Sequence, residues 1–188
     1  TTENSEDLIK EGDTVVIYMG INSMKMEKIK AKQILNVSVG CFHHDSMIGR
    51  PYGSKIISFG KGKEAYVYVL RPTPTLITET LARKTQILFS MDISAILLKL
   101  NLLPGDVVVE AGTGSGSLSC SIATAISPNG HLYTFEFNEE RARLTQESFK
   151  ELGFTNITST HRDVVANGFG LETKDYEADA LFLDVPNP

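Results

Sequence analysis

Two hydrophobic periodicities divide this chain. Over residues 14–70 apolar side chains fall in short β-branched runs or alternate with polar ones, in the stretches 14–20 (TVVIYMG), 34–40 (ILNVSVG), 54–60 (SKIISFG) and 65–70 (AYVYVL). Gly12, Gly20, Gly49-Arg50-Pro51 and Gly60-Lys61-Gly62 separate them, which predicts the short strands of an antiparallel β-domain. Residues 24–33 read as a further strand that puts Lys28, Lys30 and Lys32 on one face. Those lysines either contact phosphate or form a solvated face that discourages edge pairing. Arg71-Pro72-Thr73-Pro74 breaks the pattern, because two prolines fix φ and remove donors. The expected division is therefore a small β-domain, 1–74, followed by a second domain, 75–188.

The second periodicity is helical. Ile87, Leu88, Met91, Ala95 and Leu98 recur at three- and four-residue spacing, predicting a helix over 84–100 with one apolar face. Pro104-Gly105-Asp106 ends it and leads into the apolar run at 107–111. Strand and helix then alternate. A strand is expected at 131–137 (HLYTFEF), then a helix capped by Asn138, with Glu139 and Glu140 at its positive end. Ala142, Thr145, Phe149 and Leu152 are its expected buried stripe, and Gly153 its stop. Two more strands are predicted at 156–163 and 178–184. This order specifies an α/β fold with a parallel, doubly wound Rossmann-like sheet. Such a sheet rarely ends at its fourth strand, so a longer natural chain is expected. Residues 1–7 are polar and are expected to fray.

Composition narrows the classes. A hydrophobic content of 41% over 188 residues supports a real core. No run reaches the roughly 18 apolar residues of a membrane helix, and no stretch has the layout of a signal peptide. Two distant cysteines without a CxxC pattern argue against a disulfide framework. A net charge of −5 argues against a protein that binds nucleic acid by bulk positive charge, though not against a local basic patch. There is no GxxxxGK[ST] for nucleotide hydrolysis. Cys41, His43, His44 and Asp45 have the residue types of metal ligands, but adjacent histidines on a strand point to opposite faces, so no metal site is expected.

Residues 107–117 (VVVEAGTGSGS) hold the strongest candidate chemistry. A buried strand runs into a loop with glycine at every second position, then into a helix whose free N–H groups face that loop. Gly112, Gly114 and Gly116 let the backbone turn and approach a ligand, with Thr113, Ser115 and Ser117 between them. The spacing is ExGxGxG rather than the dinucleotide pattern GxGxxG, and it resembles the first motif of class I S-adenosylmethionine-dependent methyltransferases. Each predicted strand of this sheet ends near a carboxylate: Glu110, Glu136, Asp163 and Asp184. Four acids in register would line a crevice with acceptors, suited to a cofactor with hydroxyls, amines and a sulfonium. Glu136 is placed to accept both hydroxyls of a ribose, or serves as a helix-start acid. Asp163 accepts from an adenine amino group beside the Val164 N–H, or caps a helix. Glu110 faces the amino-acid part of the cofactor or the loop amides. Asp184, stiffened by Pro186, points where a substrate meets the methyl group, or satisfies turn amides. In the first reading it orients an attacking adenine N1 and offsets the developing charge.

A wider resemblance joins these residues. HHDSMIGRPYGSK (43–55), YVLRPTP (68–74), RKTQILFSMDIS (83–94), EAGTGSGS, TFEFNEERAR (134–143) and FLDVP (182–186) together closely resemble the catalytic subunits of eukaryotic tRNA adenine-N1 methyltransferases. These enzymes modify adenine 58 in the T-loop. The resemblance implies a class I methyltransferase domain preceded by a small β-domain, S-adenosylmethionine as cofactor and tRNA as substrate. It also implies that Gln86 and Leu88 line the cofactor pocket, that Arg141 helps hold the cofactor, and that Asp184 is the catalytic aspartate. The partner it implies is a related non-catalytic subunit, in a heterotetramer of two plus two located in the nucleus. That partner carries much of the tRNA contact, in keeping with an acidic catalytic chain. Family members continue well past Asp184. Two other readings share these features: a non-catalytic tRNA-binding subunit and a small-molecule methyltransferase.

Overall fold

The computed structural model describes residues 8–60, 65–81, 88–170 and 177–186. The chain forms two compact units, Thr1–Thr80 and Leu81–Pro188. The first contains β1 (Thr14–Gly20), β2 (Ser23–Lys28), β3 (Ile34–Val37), β4 (Gly40–His43), β5 (Ser54–Ile57), β6 (Tyr66–Leu70) and α1 (Pro74–Thr80). Four of these strands make an antiparallel sheet in the order β2-β1-β6-β5, and β3 and β4 form a separate hairpin. Val15, Ile17, Ile56, Val67 and Val69 alternate inward from the sheet and meet Leu35, Phe42 and Met47 in one core. The division comes after Thr80 rather than at residue 74, because α1 packs back on β1 and β2.

Two strand expectations are corrected here. The run 34–40 is not one strand: it turns at Ser38-Val39, and Val37 pairs with Gly40. The strand over 24–33 stops at Lys28, so the three lysines do not share a strand face. Lys32 takes a left-handed conformation (φ 62°) in the turn that follows. That turn is fixed from a distance: the amides of Lys30, Ala31 and Lys32 donate to His44 Nδ1, Glu11 and Asp45. His44 is buried, which lowers its pKa, whereas His43 is exposed and stacks on Phe59. The two histidines therefore part rather than converge on an ion.

The second unit holds α2 (Ser90–Leu100), β7 (Val107–Ala111), α3 (Ser117–Ala125), β8 (His131–Glu136), α4 (Glu139–Glu151), β9 (Ile157–His161), α5 (Val164–Asn167) and β10 (Ala180–Leu183). Its strands are parallel in the order β10-β7-β8-β9. The chain winds outward from β7 through α3 and α4, then adds β10 on the opposite flank of β7. Strand order reverses between β7 and β10, and crevices for ligands form at the carboxyl ends of such a pair. This unit is of the expected α/β, Rossmann-like class.

Asn138 caps α4 by accepting from the Arg141 amide at 2.9 Å, and Ala142, Thr145 and Phe149 are buried beneath it. Leu152, expected in that stripe, is only half-buried. Of the expected helix over 84–100, residues 84–87 lie outside the described residues; Phe89 is extended and α2 starts at Ser90. Its buried side is also not the expected one: Ile93 faces inward, while Met91 and Leu98 are 85% and 82% exposed. Among the described residues no helix is long and apolar enough to cross a membrane.

Candidate active site at the carboxyl end of the parallel sheet

The register of the sheet sets the levels of its acids. Leu183, Ala111 and Phe135 are aligned across β10, β7 and β8, so Asp184, Gly112 and Glu136 stand side by side one residue later. Asp163 follows β9 by two residues, and Glu110 pairs with Thr134 one residue below the strand end. The four acids are therefore not in register as expected. Two flank the glycine loop, one lies beyond it and one is buried below.

The loop is tied to β8. The Gly112 and Thr113 amides both donate to the Phe135 carbonyl, at 2.8 and 3.3 Å, and the Gly114 amide donates to Glu136 Oε2 at 3.0 Å. Gly112 (φ 97°) cannot carry a side chain, because a Cβ there would strike the Asp184 carbonyl oxygen. Gly116 serves packing rather than ligand approach. It is the left-handed residue before α3, and a Cβ on it would lie 2.7 Å from the Phe149 ring. Thr113 is buried, its hydroxyl 2.6 Å from that of Thr134. The Ser115 hydroxyl accepts from the Ser117 amide at 3.4 Å.

Glu136 is densely bound. Oε1 accepts from the Asn138 amide at 2.9 Å and from Arg141 Nη2 at 2.7 Å. Burial alone would raise its pKa, but these donors and the Gly114 amide hold the carboxyl below the usual carboxylate range. Three of about four lone-pair positions are thus used, and the opening left is on Oε2. The Nε of Arg141 is buried without a partner among the described residues.

Glu110 is the electrostatic opposite. It is fully buried, and its Oε2 accepts from the Ser119 hydroxyl of α3 at 2.5 Å rather than from loop amides. Its Oε1 is also buried and has no partner among the described residues. Burial pushes its pKa up to about 7, helped by the charges of Asp184 and Glu136 and opposed by the Ser119 and Thr134 hydroxyls.

Asp163 caps α5 through Oδ1, which accepts from the Ala166 amide at 3.0 Å, and it also lines the cavity described below. Its capping and ligand-facing readings are compatible, because the second oxygen has no hydrogen-bond partner among the described residues. Asp184 is exposed. Its amide donates to the Ala111 carbonyl at 2.8 Å, extending the β7–β10 ladder, and its carboxylate has no partner among the described residues. Turn amides therefore do not occupy it.

A cavity of about 690 Å³ opens here, lined by Leu88, Gly112, Gly114, Glu136, Arg141, Asp163, Val164 and Asp184 among others. A small adjoining recess adds Glu110, Thr113, Ser115 and Ser117. The size suits a small-molecule ligand. Of the expected site residues, Gly116 lines neither space, and Gln86 lies outside the described residues. Phe135, Phe137, Arg162 and Pro186 also line the cavity and were not anticipated. Arg162 donates to the carbonyls of Gly168 and Asn167 at 2.6 and 2.7 Å, holding the loop that brings Phe169 against Phe135. Its position beside Asp163 was the available signal.

The second unit's sheet, switch-point cavity and glycine loop define the class: this is a Rossmann-like methyltransferase fold. A SAM-dependent O-methyltransferase from Thermotoga maritima matches with a TM-score of 0.82 and 25% identity, over 100% of this chain and 68% of its own. The tRNA (m1A58) methyltransferase TrmI from Aquifex aeolicus matches with a TM-score of 0.67 and 32% identity, over 95% and 66%. Residues 65–188 match the family described as the tRNA methyltransferase complex GCD14 subunit, and the chain belongs to that family. Its relatives include tRNA (adenine(58)-N(1))-methyltransferase catalytic subunits. That of Dictyostelium discoideum is 44% identical over 98% of this chain and 59% of its own length. That of Candida albicans is 39% identical over 97% and 54%. The chain thus spans somewhat over half the length of these curated relatives.

Proposed function

We propose that this chain is the catalytic subunit of an S-adenosylmethionine-dependent enzyme that methylates N1 of adenine 58 in the T-loop of tRNA. The observation that carries the reading is the exposed Asp184 carboxylate, without a partner among the described residues and held beside Gly112 at the mouth of a cavity whose other acids are differently engaged. Family membership and the catalytic-subunit relatives support it. The site also fits the cofactor on its own chemistry. The one open acceptor position on Glu136 suits a ribose hydroxyl and that on Asp163 an adenine amine, and the buried Glu110 Oε1, without a partner among the described residues, suits a cationic or amine-bearing group. Leu88 and Val164 add apolar wall, and Gly114 lets the backbone approach.

S-adenosylmethionine supplies an electrophilic methyl group on a sulfonium. The chain's own task is to place the acceptor and manage its charge. Methylation at N1 would leave positive charge spread over the adenine ring and its amino group, the donor departing as a neutral thioether. Asp184 accepts a hydrogen bond from that amino group, fixes the base in line and offsets the charge, and is placed to take the proton that restores a neutral base. Glu136, already stabilised as a carboxylate, binds rather than transfers protons. The similarity to an O-methyltransferase shows that the fold alone does not select the acceptor atom. In this reading the exposed Asp184 carboxylate supplies that selection.

The partner in this reading is a related non-catalytic subunit, two copies of each, and the location is the nucleus. The test is mass-spectrometric mapping of tRNA lacking the modification after incubation with the full-length protein, with and without that partner. Methyl groups at N1 of adenine 58, requiring the partner, are expected. Methylation elsewhere, or none by the full complex, contradicts the proposal.

A further inference from the structure

The β-unit has a side-chain row that neither its core nor the cavity explains. The register puts Tyr18 opposite Tyr68, Tyr68 opposite Lys55, and Tyr66 opposite Ile57, all on one face of the sheet. This face is the reverse of the one that builds the core, where Val15, Ile17, Val67 and Val69 point. α1 packs on β1 and β2, but Tyr66 and Ile57 remain 48% and 58% exposed. The rings are continuous: Tyr18 and Tyr68 centroids lie 6.5 Å apart, those of Tyr68 and Tyr66 5.7 Å apart at 80°, and Lys55 Nζ sits 3.9 Å from the Tyr66 centroid.

Charge selects the occupant. The strand residues of this face include Lys28 and Lys55 and no Asp or Glu. Counting residues 1–80, ten Lys and Arg meet nine Asp and Glu, whereas residues 81–188 have eight against fourteen. The first unit is thus close to neutral at +1, and the second carries −6. Aromatic rings on a sheet with a lysine among them offer stacking and phosphate contact together, the combination by which small β-domains hold unpaired bases.

We propose that the face bearing Tyr18, Tyr66, Tyr68 and Lys55 is an RNA-binding platform on which unstacked bases of the substrate rest, with Lys55 at the backbone. This rests on the proposed tRNA substrate and adds the surface that touches it. The test uses the full-length protein with its partner subunit. Affinity for unmodified tRNA is measured by fluorescence anisotropy over a salt series, and assembly by light scattering. Tyr66→Ala is expected to weaken binding about tenfold, from one lost base stack. Tyr66→Phe, which keeps the ring, is expected to restore it. Lys55→Ala is expected to flatten the slope of log affinity against log salt by about one. Unchanged affinity in Tyr66→Ala overturns the platform, as does loss of subunit assembly with RNA binding by the remaining complex intact, which would make the face a protein interface. A wild-type complex that neither binds nor methylates tRNA contradicts the proposed function itself.

Discussion

Glu136 and Asp184 stand at the same level of one sheet, on either side of Gly112, yet their surroundings are opposite. Glu136 is held by two amides and a guanidinium and kept ionised. Asp184 is exposed, its carboxylate without a partner among the described residues. A group that must bind the same ligand in every cycle gains from being fixed in advance. A group that meets a changing substrate must keep its acceptor capacity free. Under the proposed function the contrast separates holding the methyl donor from directing the acceptor, and each side can be broken alone.

The largest structural effect is expected where the two corners touch. Gly112→Ala drives a Cβ into the Asp184 carbonyl at a left-handed φ and should destabilise the second unit by about 3 kcal/mol or more, read by denaturant unfolding. A cost under about 1 kcal/mol would show that β10 yields easily and that the spacing is not fixed.

Glu110 provides a pH test of similar size. Its folded pKa of about 7 lies above the ordinary 4.5, so between those values the folded state keeps a proton that the unfolded state has lost. Stability should therefore fall as pH rises across that window, by roughly 3 kcal/mol in all, and level off above it. Glu110→Gln should remove this slope in unfolding experiments run from pH 4 to 8; an unchanged slope would place its origin elsewhere.

Glu136→Gln should lower affinity for S-adenosylmethionine about 10- to 100-fold, since it weakens the Arg141 pair and a charge-assisted acceptor worth roughly 1.5–3 kcal/mol. Calorimetry with unchanged affinity would remove Glu136 from the binding corner. Asp163→Ala should cost least, about 1 kcal/mol or less for a cap on a four-residue helix.

The same contrast marks what could be read from residues alone. The strand, glycine loop and helix at 107–117 and the acid ending β8 are local patterns, and the fold follows them closely. Glycine spacing does not distinguish room for a ligand from room for a neighbouring ring, and at Gly116 the space is taken by Phe149. The phase of α2 is ambiguous in the sequence because apolar residues lie on both sides; in the fold α2 packs against α3, and Ile93 is its buried residue. β2 ends where it does because Glu11, His44 and Asp45 fix the following turn from outside it. The unequal depth of the four acids depends on register, which no single strand encodes.

The most direct test pairs two measurements on one variant, Asp184→Ala in the full-length protein with its partner. Calorimetry should find S-adenosylmethionine affinity within a few-fold of wild type, while turnover on unmodified tRNA falls by about 10²- to 10⁴-fold, the range of a positioned general base. Wild-type turnover in that variant, or cofactor affinity lost in step with activity, would contradict the division between a holding corner at Glu136 and a directing carboxylate at Asp184.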